Sequence, residues 1–225
     1  MKGLITVIQA RMNSSRLPGK VLMDINGKPM LWHVVNRLRK SEYVKDIIIA
    51  ATTKDKEIVA FTRKNKLRCF LGSEDDVLGR FYNATVKFRL KVNPTMVIRI
   101  TADCPLIDPK EVDRTVDYFL ANDVDYVYNG IDGFDVEVFS RDVLERAQYR
   151  ATTKEDREHV TSYIIRNYKA ATLNTSKTPH LSVDTQEDLS LIRKIFQELG
   201  NDFSMEDALK LASDVVKDKN VDVGE

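Results

Sequence analysis

The chain has 225 residues, 43% of them hydrophobic, enough for one large core or a core with a small appended lobe. Lys and Arg number 35 against 34 Asp and Glu, a net charge of +1, so no global field draws nucleic acid or anionic membrane and a polyanion must be gripped locally. The first apolar run is too short for a signal peptide, none approaches the roughly 20 residues of a bilayer span, and two cysteines make no disulfide framework; a soluble, cytoplasmic protein is expected.

Leu4-Ile-Thr-Val-Ile8 reads as a buried parallel strand. It empties into a Ser-, Pro- and Gly-containing loop that carries the cations Arg11, Arg16 and Lys20. In α/β proteins ligands sit outside the carboxyl ends of the strands, so this loop is expected to hold a polyanion, best a triphosphate. It is neither of two familiar phosphate loops. A Walker loop needs Gly where Ser14 stands and Ser or Thr in place of Val21, and no G-x-G-x-x-G follows the strand. A solvated loop with scattered charges is the alternative.

Met30, Leu31, Val34, Val35 and Leu38 recur at helical spacing, with His33 off the apolar face and solvated, and Arg37, Arg39 and Lys40 opposite or at the end. Lys45–Ala51 is a second buried strand. Ser73-Glu-Asp-Asp76 opens a helix with Val77, Leu78, Phe81 and Thr85 inward, and Thr95–Ile100 is a third buried strand. Asp108-Pro-Lys-Glu111 is a helix start with Asp as cap and Pro at the first helical position; Val112, Val116, Phe119 and Leu120 give its buried face.

Asp125–Tyr128 and His180–Val183 are weaker strand candidates. Between them, residues 130–179 lose the alternation and read as a polar, helical insertion for acceptor binding or dimerisation, with Tyr163, Ile164, Ile165 and Tyr168 as candidate contacts. It is expected to return to the sheet at Leu181–Val183. Thr185-Gln-Glu-Asp188 then begins a helix carried by Leu189, Ile192, Phe196 and Leu199 and stopped by Gly200. A last amphipathic helix starts at Ser204 and frays after Asp218. Strand–helix alternation through the first half implies one α/β domain with a mostly parallel, Rossmann-like, doubly wound sheet.

Polyphosphate chemistry calls for a divalent ion, and Mg²⁺ takes one or two carboxylates plus phosphate oxygens. Asp103 and Asp184 follow strand candidates and are the acids expected to face the cationic loop. Taken alone, Asp103 reads as a turn residue before Pro105 and Asp184 as a helix cap. With Arg11, Arg16 and Lys20 at the same sheet edge they make a metal–triphosphate site. Asp123-Val-Asp125 has a D-x-D form that arises by chance, and Cys104 reads as a small core residue. The blocks Gly133-Phe-Asp-Val-Glu137 and Arg157-Glu-His159 either line an acceptor pocket or form a charged face.

Gln9-Ala-Arg-Met-x-Ser-x-Arg-Leu-Pro-Gly-Lys-Val-Leu22, with Gly27-Lys-Pro-Met30, resembles the opening of the sugar cytidylyltransferases, among them the 3-deoxy-manno-octulosonate and acylneuraminate enzymes. Thr101-Ala-Asp-Cys-Pro-Leu-Ile-Asp-Pro109, Gly133–Phe139, Arg157-Glu-His-Val-Thr161 and Val183-Asp-Thr-x-Glu-Asp-Leu189 are similar to the spore-coat polysaccharide biosynthesis cytidylyltransferase-like proteins. The resemblance implies a nucleotide-diphospho-sugar transferase fold, a homodimer, and a Mg²⁺-dependent reaction of CTP with a sugar acid to give CMP-sugar and pyrophosphate.

It would place Gln9, Ala10, Arg11, Ser14, Arg16, Lys20 and Thr101 at the nucleotide, and Asp103 and Asp184 on the metal. Arg11, Lys20, Asp103 and Asp184 form the catalytic set, and Asn129, Glu137, Arg157 and His159 would border the acceptor. The octulosonate enzymes carry Gln-Gly-Asp-Glu-Pro where this chain has Thr101-Ala-Asp-Cys-Pro105, so neither the base nor the sugar is carried over. A glycosyltransferase that consumes a nucleotide sugar, and a nucleotidyltransferase acting on a phosphorylated sugar or alcohol, stay open as alternatives.

Overall fold

A strand buried on both faces needs a near-continuous apolar run, and β1 (Gly3–Gln9) has one, interrupted by Thr6: Ile5, Val7 and Ile8 have no exposed surface. The computed structural model describes residues 3–88 and 94–221. In it β1 is an interior strand of a seven-stranded sheet, parallel to β4 (Ile47–Thr52) on one side and to β6 (Pro94–Thr101) on the other. β5 (Arg68–Gly72) is the edge beyond β4. Beyond β6 come β8 (Glu137–Ser140), β7 (Tyr126–Tyr128) and β9 (Ala170–Thr172), giving the order β5-β4-β1-β6-β8-β7-β9. Only β8 runs against the others. A separate hairpin, β2 (Asp24–Ile25) and β3 (Lys28–Pro29), turns on Asn26 and Gly27, both at positive φ, as its two-residue turn requires.

Alternation along the strands divides the core. Ile8, Ile49, Ile98 and Ile100 pack beneath α1 (Met30–Leu38), α2 (Lys56–Lys64) and α4 (Pro109–Ala121). Ile5, Val7, Val97 and Phe139 face α3 (Val77–Lys87), α5 (Arg141–Arg150) and α7 (Ser162–Asn167), with the short α6 (Lys154–Glu158) beside them. A third cluster joins α8 (Gln186–Leu199) and α9 (Met205–Val221) to Leu17 of the cationic loop and to Phe134, Leu181 and Val183. That cluster draws the segment before α8 against the loop after β1.

Several expectations hold and several change. Asp108 caps α4, and Thr185 with Asp188 forms a capping box on α8. His180–Val183 is not a strand: it runs as irregular chain, joined to the sheet region by Val183 N–H donating to Asp103 O at 2.9 Å. The 130–179 segment is not merely helical, since β8 inserts between β6 and β7 and β9 adds an edge. Its Ile164 is a core residue, while Ile165 is exposed.

His33 is buried rather than solvated. Its Nε2 bonds Ile25 O at 2.7 Å and its ring lies 4.3 Å from Phe196, because α8 covers that side of α1. Arg37 is buried too, donating to the carbonyls of Ile107, Asn201 and Phe203. Leu120 is exposed, so the inward face of α4 ends at Phe119, which packs half-buried against the core. The last helix continues past Asp218 to Val221, and the remainder of the expected frayed tail lies outside the described residues.

Candidate active site

The loop after β1 is held at both ends by backbone bonds. Ala10 N–H donates to Ala50 O, and Gly19 N–H to Met12 O at 2.7 Å. Gly19 adopts φ 75°, which starts the 3-10 turn Lys20–Leu22 and points Lys20 inward. The buried carboxylate of Asp55 fixes the middle, accepting from Met12 N at 3.0 Å and Thr52 N at 2.7 Å.

Lys20, only 7% exposed, ends on three oxygens: Asp103 Oδ2 at 2.8 Å, Asp184 Oδ1 at 3.0 Å and the Val183 carbonyl at 2.6 Å. Arg16 Nη2 reaches the other oxygen of Asp184 at 2.8 Å. Burial alone would lower the ammonium pKa, but the two carboxylates outweigh it and the net shift is upward. Burial likewise pushes Asp103 up, and the Lys20 charge and hydrogen bond hold it below its ordinary value. Asp184 does not cap α8, since Thr185 and Asp188 do that; its carboxylate is free to face the loop.

A cleft of about 180 Å³ opens over this cluster. Gln9, Ala10, Arg11, Ser14, Arg16, Lys20 and Thr101, the whole expected nucleotide set, line it together with Asp103 and Asp184. Arg11 makes no ion pair among the described residues. Another hollow, of about 310 Å³, lies beside Arg37, but that guanidinium is already bonded to carbonyls.

The expected acceptor residues divide. Glu137 lies beside the cleft region, bonding Arg99, which in turn bonds Gln9. Asn129 is fully buried, and its amide bonds Phe134 O and Val136 N, so it holds a turn. Arg157 ties α6 to the start of α3 through Asp76 at 2.6 Å and to α5 through the Gln148 carbonyl. His159 is exposed after α6 and does not line the cleft.

Three residues that brace the cleft are not singled out in the sequence analysis: Asp55, Arg99 and Asp132. Asp132 accepts from Leu181 N, Ser182 N and Ser182 Oγ, and its other oxygen meets His180 Nδ1 at 2.9 Å. It thereby anchors the chain that presents Asp184. The Ile131-Asp-Gly133 turn was the available signal, because Gly133 sits at φ 80° against Leu181. Cys104 is buried as expected, near Asp135 and Thr101; burial and the nearby Asp135 and Asp103 charges push its thiol well above the ordinary value, an inert sulfur.

The residues suit a hard cation. Lys20 already places positive charge on three oxygens, two of them carboxylate, and Mg²⁺ asks for no more from protein when phosphates complete its shell. Among the described residues no group of three or more His, Cys, Asp or Glu could hold a metal, so a site relying on protein ligands alone is not built here.

A cytidylyltransferase family model matches residues 5–222. The spore coat polysaccharide biosynthesis protein SpsF of Bacillus subtilis is 34% identical over 218 residues, covering 89% of each chain. The 3-deoxy-manno-octulosonate cytidylyltransferase of Lawsonia intracellularis is 33% identical over 116 residues, 51% of this chain and 44% of that one. A solved cytidylyltransferase structure from Leptospira borgpetersenii superposes with a TM-score of 0.85 at 26% identity, covering 98% of this chain and 97% of that one. No helix among the described residues is long and apolar enough to cross a membrane. With its cationic loop and paired acids on one cleft, this chain belongs to the cytidylyltransferase family, CTP-using nucleotidyltransferases.

Proposed function

We propose that the protein is a Mg²⁺-dependent cytidylyltransferase that activates a sugar acid of ulosonic or nonulosonic type as its CMP-sugar, with release of pyrophosphate, for surface polysaccharide or glycan biosynthesis. The observation that carries this reading is the convergence of Asp103 and Asp184 on the Lys20 ammonium at the floor of a cleft rimmed by Arg11 and Arg16. The similarity to SpsF supports the polysaccharide context, and that to an octulosonate cytidylyltransferase supports the sugar-acid acceptor.

In this reading an acceptor hydroxyl oxygen attacks the α-phosphorus, the bond from that phosphorus to the bridging oxygen breaks, and pyrophosphate leaves. Arg11 and Arg16 hold the triphosphate, and with the Lys20 charge beneath them they neutralise the charge that develops on the leaving group. Asp103 and Asp184 would hold the divalent ion, whose charge would shield the phosphates and acidify the attacking hydroxyl, its proton passing to solvent. Asp132 keeps Asp184 in place through the Leu181–Ser182 backbone. A homodimer belongs to the same proposal, tested by light scattering.

The experiment is a screen of four nucleoside triphosphates against ulosonic acids and sugar phosphates, with and without Mg²⁺, read as pyrophosphate. The expected result is Mg²⁺-dependent pyrophosphate from CTP with a sugar acid. Nucleotide release from a CMP- or UDP-sugar, with no pyrophosphate from CTP, would replace this reading by a glycosyltransferase.

A further inference from the structure

Gln9 is the last residue of β1 and lines the cleft. Its Oε1 accepts from Arg99 Nη2 at 3.3 Å, and Arg99 Nη1 donates to Glu137 Oε1 at 2.5 Å. The chain of contacts crosses three adjacent strands, with Arg99 of β6 paired on one side to β1 and on the other to Glu137 of β8. A guanidinium carries donors only. The Gln9 atom that meets Arg99 is therefore the carbonyl oxygen, and this chemical constraint fixes the amide's orientation. The Nε2 group is turned the other way. It has no hydrogen-bond partner among the described residues and is not sealed from solvent.

The Arg99–Glu137 pair is itself unusual. Both side chains are mostly buried, 15% and 13% exposed, yet the pair is not the two-pronged arrangement that Arg and carboxylate prefer. Arg99 divides its terminal nitrogens between Glu137 and Gln9, and so Arg99 Nε and Glu137 Oε2 lack partners among the described residues. Buried polar atoms left unpaired ask for a reason beyond stability. Here the geometry that leaves them unpaired is the geometry that grips a cleft residue.

We propose that Arg99 and Glu137 are positioning residues that hold the Gln9 amide NH₂ toward the nucleotide, as a donor to the N3 and O2 acceptors of cytosine. The proposal rests on the cytidylyltransferase reading. A free Gln amide is ambivalent, because rotation presents either oxygen or NH₂. Uracil carries N–H at its N3 position and would accept the rotated form equally well. Clamping the oxygen on Arg99 removes that option and favours CTP over UTP.

The test measures pyrophosphate release with CTP and UTP for the wild type, Gln9→Glu, and the double variant Arg99→Met/Glu137→Met, alongside thermal unfolding. Removing both members of a buried ion pair strands no charge, so the double variant is expected to fold. Its CTP-over-UTP ratio of kcat/KM should fall by about fivefold or more, with a smaller change in kcat. Gln9→Glu retains an acceptor for Arg99 but offers the cleft no donor, and its KM for CTP should rise by about tenfold or more. A merely structural pair would lower stability without moving the ratio. An unchanged ratio in the double variant, or an unchanged KM in Gln9→Glu, overturns the proposal; if the double variant does not fold, Gln9→Glu decides alone. A wild-type protein inert with CTP defeats the cytidylyltransferase reading, whereas an active one with unmoved variants defeats only the positioning role.

Discussion

Lys20 Nζ lies 2.8 Å from Asp103 Oδ2, joining residues 83 positions apart in the sequence. The contact puts a fixed positive charge at the floor of the cleft, where the charge of a bound triphosphate would be met. Lys20→Ala should lower kcat/KM for CTP by roughly ten- to a thousandfold, the range for losing one charge-stabilising contact. Steady-state pyrophosphate release checks it, and an unchanged value removes Lys20 from the site.

Asp184 shares the same ammonium and also takes Arg16. Asp184→Asn keeps the size of the side chain but removes the charge that a divalent ion needs. We expect kcat to drop by about tenfold or more even at saturating Mg²⁺. Calorimetric titration of CTP with and without Mg²⁺ should show that the variant loses the metal-dependent part of the affinity. Wild-type kcat in this variant would contradict the metal assignment.

Gly133 stands at φ 80°, and a Cβ added there would lie 2.5 Å from Leu181 Cβ. Leu181 leads directly to Val183 and Asp184. Gly133→Ala should cost on the order of 1–3 kcal/mol through the strained backbone conformation. It should also lower kcat by displacing Asp184. Denaturant unfolding and the pyrophosphate assay, run on the same preparation, separate the two effects.

Burial lowers the His33 pKa below the usual imidazole value of 6.5, despite the Ile25 carbonyl that favours the charged ring. The unfolded chain therefore binds a proton more readily than the folded one. The His33 contribution to stability is complete above pH 6.5 and is lost as pH falls through the lower, folded-state value. Urea unfolding from pH 7.5 down to about 5 should show this loss, and His33→Gln, which keeps a donor for Ile25 O, should flatten it. Equal slopes in the two proteins would contradict the assignment.

Much of the scaffold was legible because its causes are local. An apolar run of four or five residues makes β1 or β4 whatever surrounds it, and the Asp108-Pro109 and Thr185–Asp188 caps are decided within one helical turn. The cationic loop was legible for the same reason, as was its place after a strand. Glu137, by contrast, reads as a charge in an ambiguous block, and only its pairing across β6 shows that it serves Arg99 and, through it, Gln9.

The sequence by itself determined the alternation of strands and helices, the three cations and the two acids, because these depend on neighbours along the chain. Only the tertiary structure decided that Lys20 would sit between acids 83 and 164 positions away, that His33 would be buried under α8, and that Asn129 and Arg157 would hold turns and helices instead of a ligand. The reason is physical. A side chain's partner across the fold is chosen by how the apolar clusters pack, here by Leu17 and Val183 entering one core, and that packing leaves no signature within any short stretch of sequence.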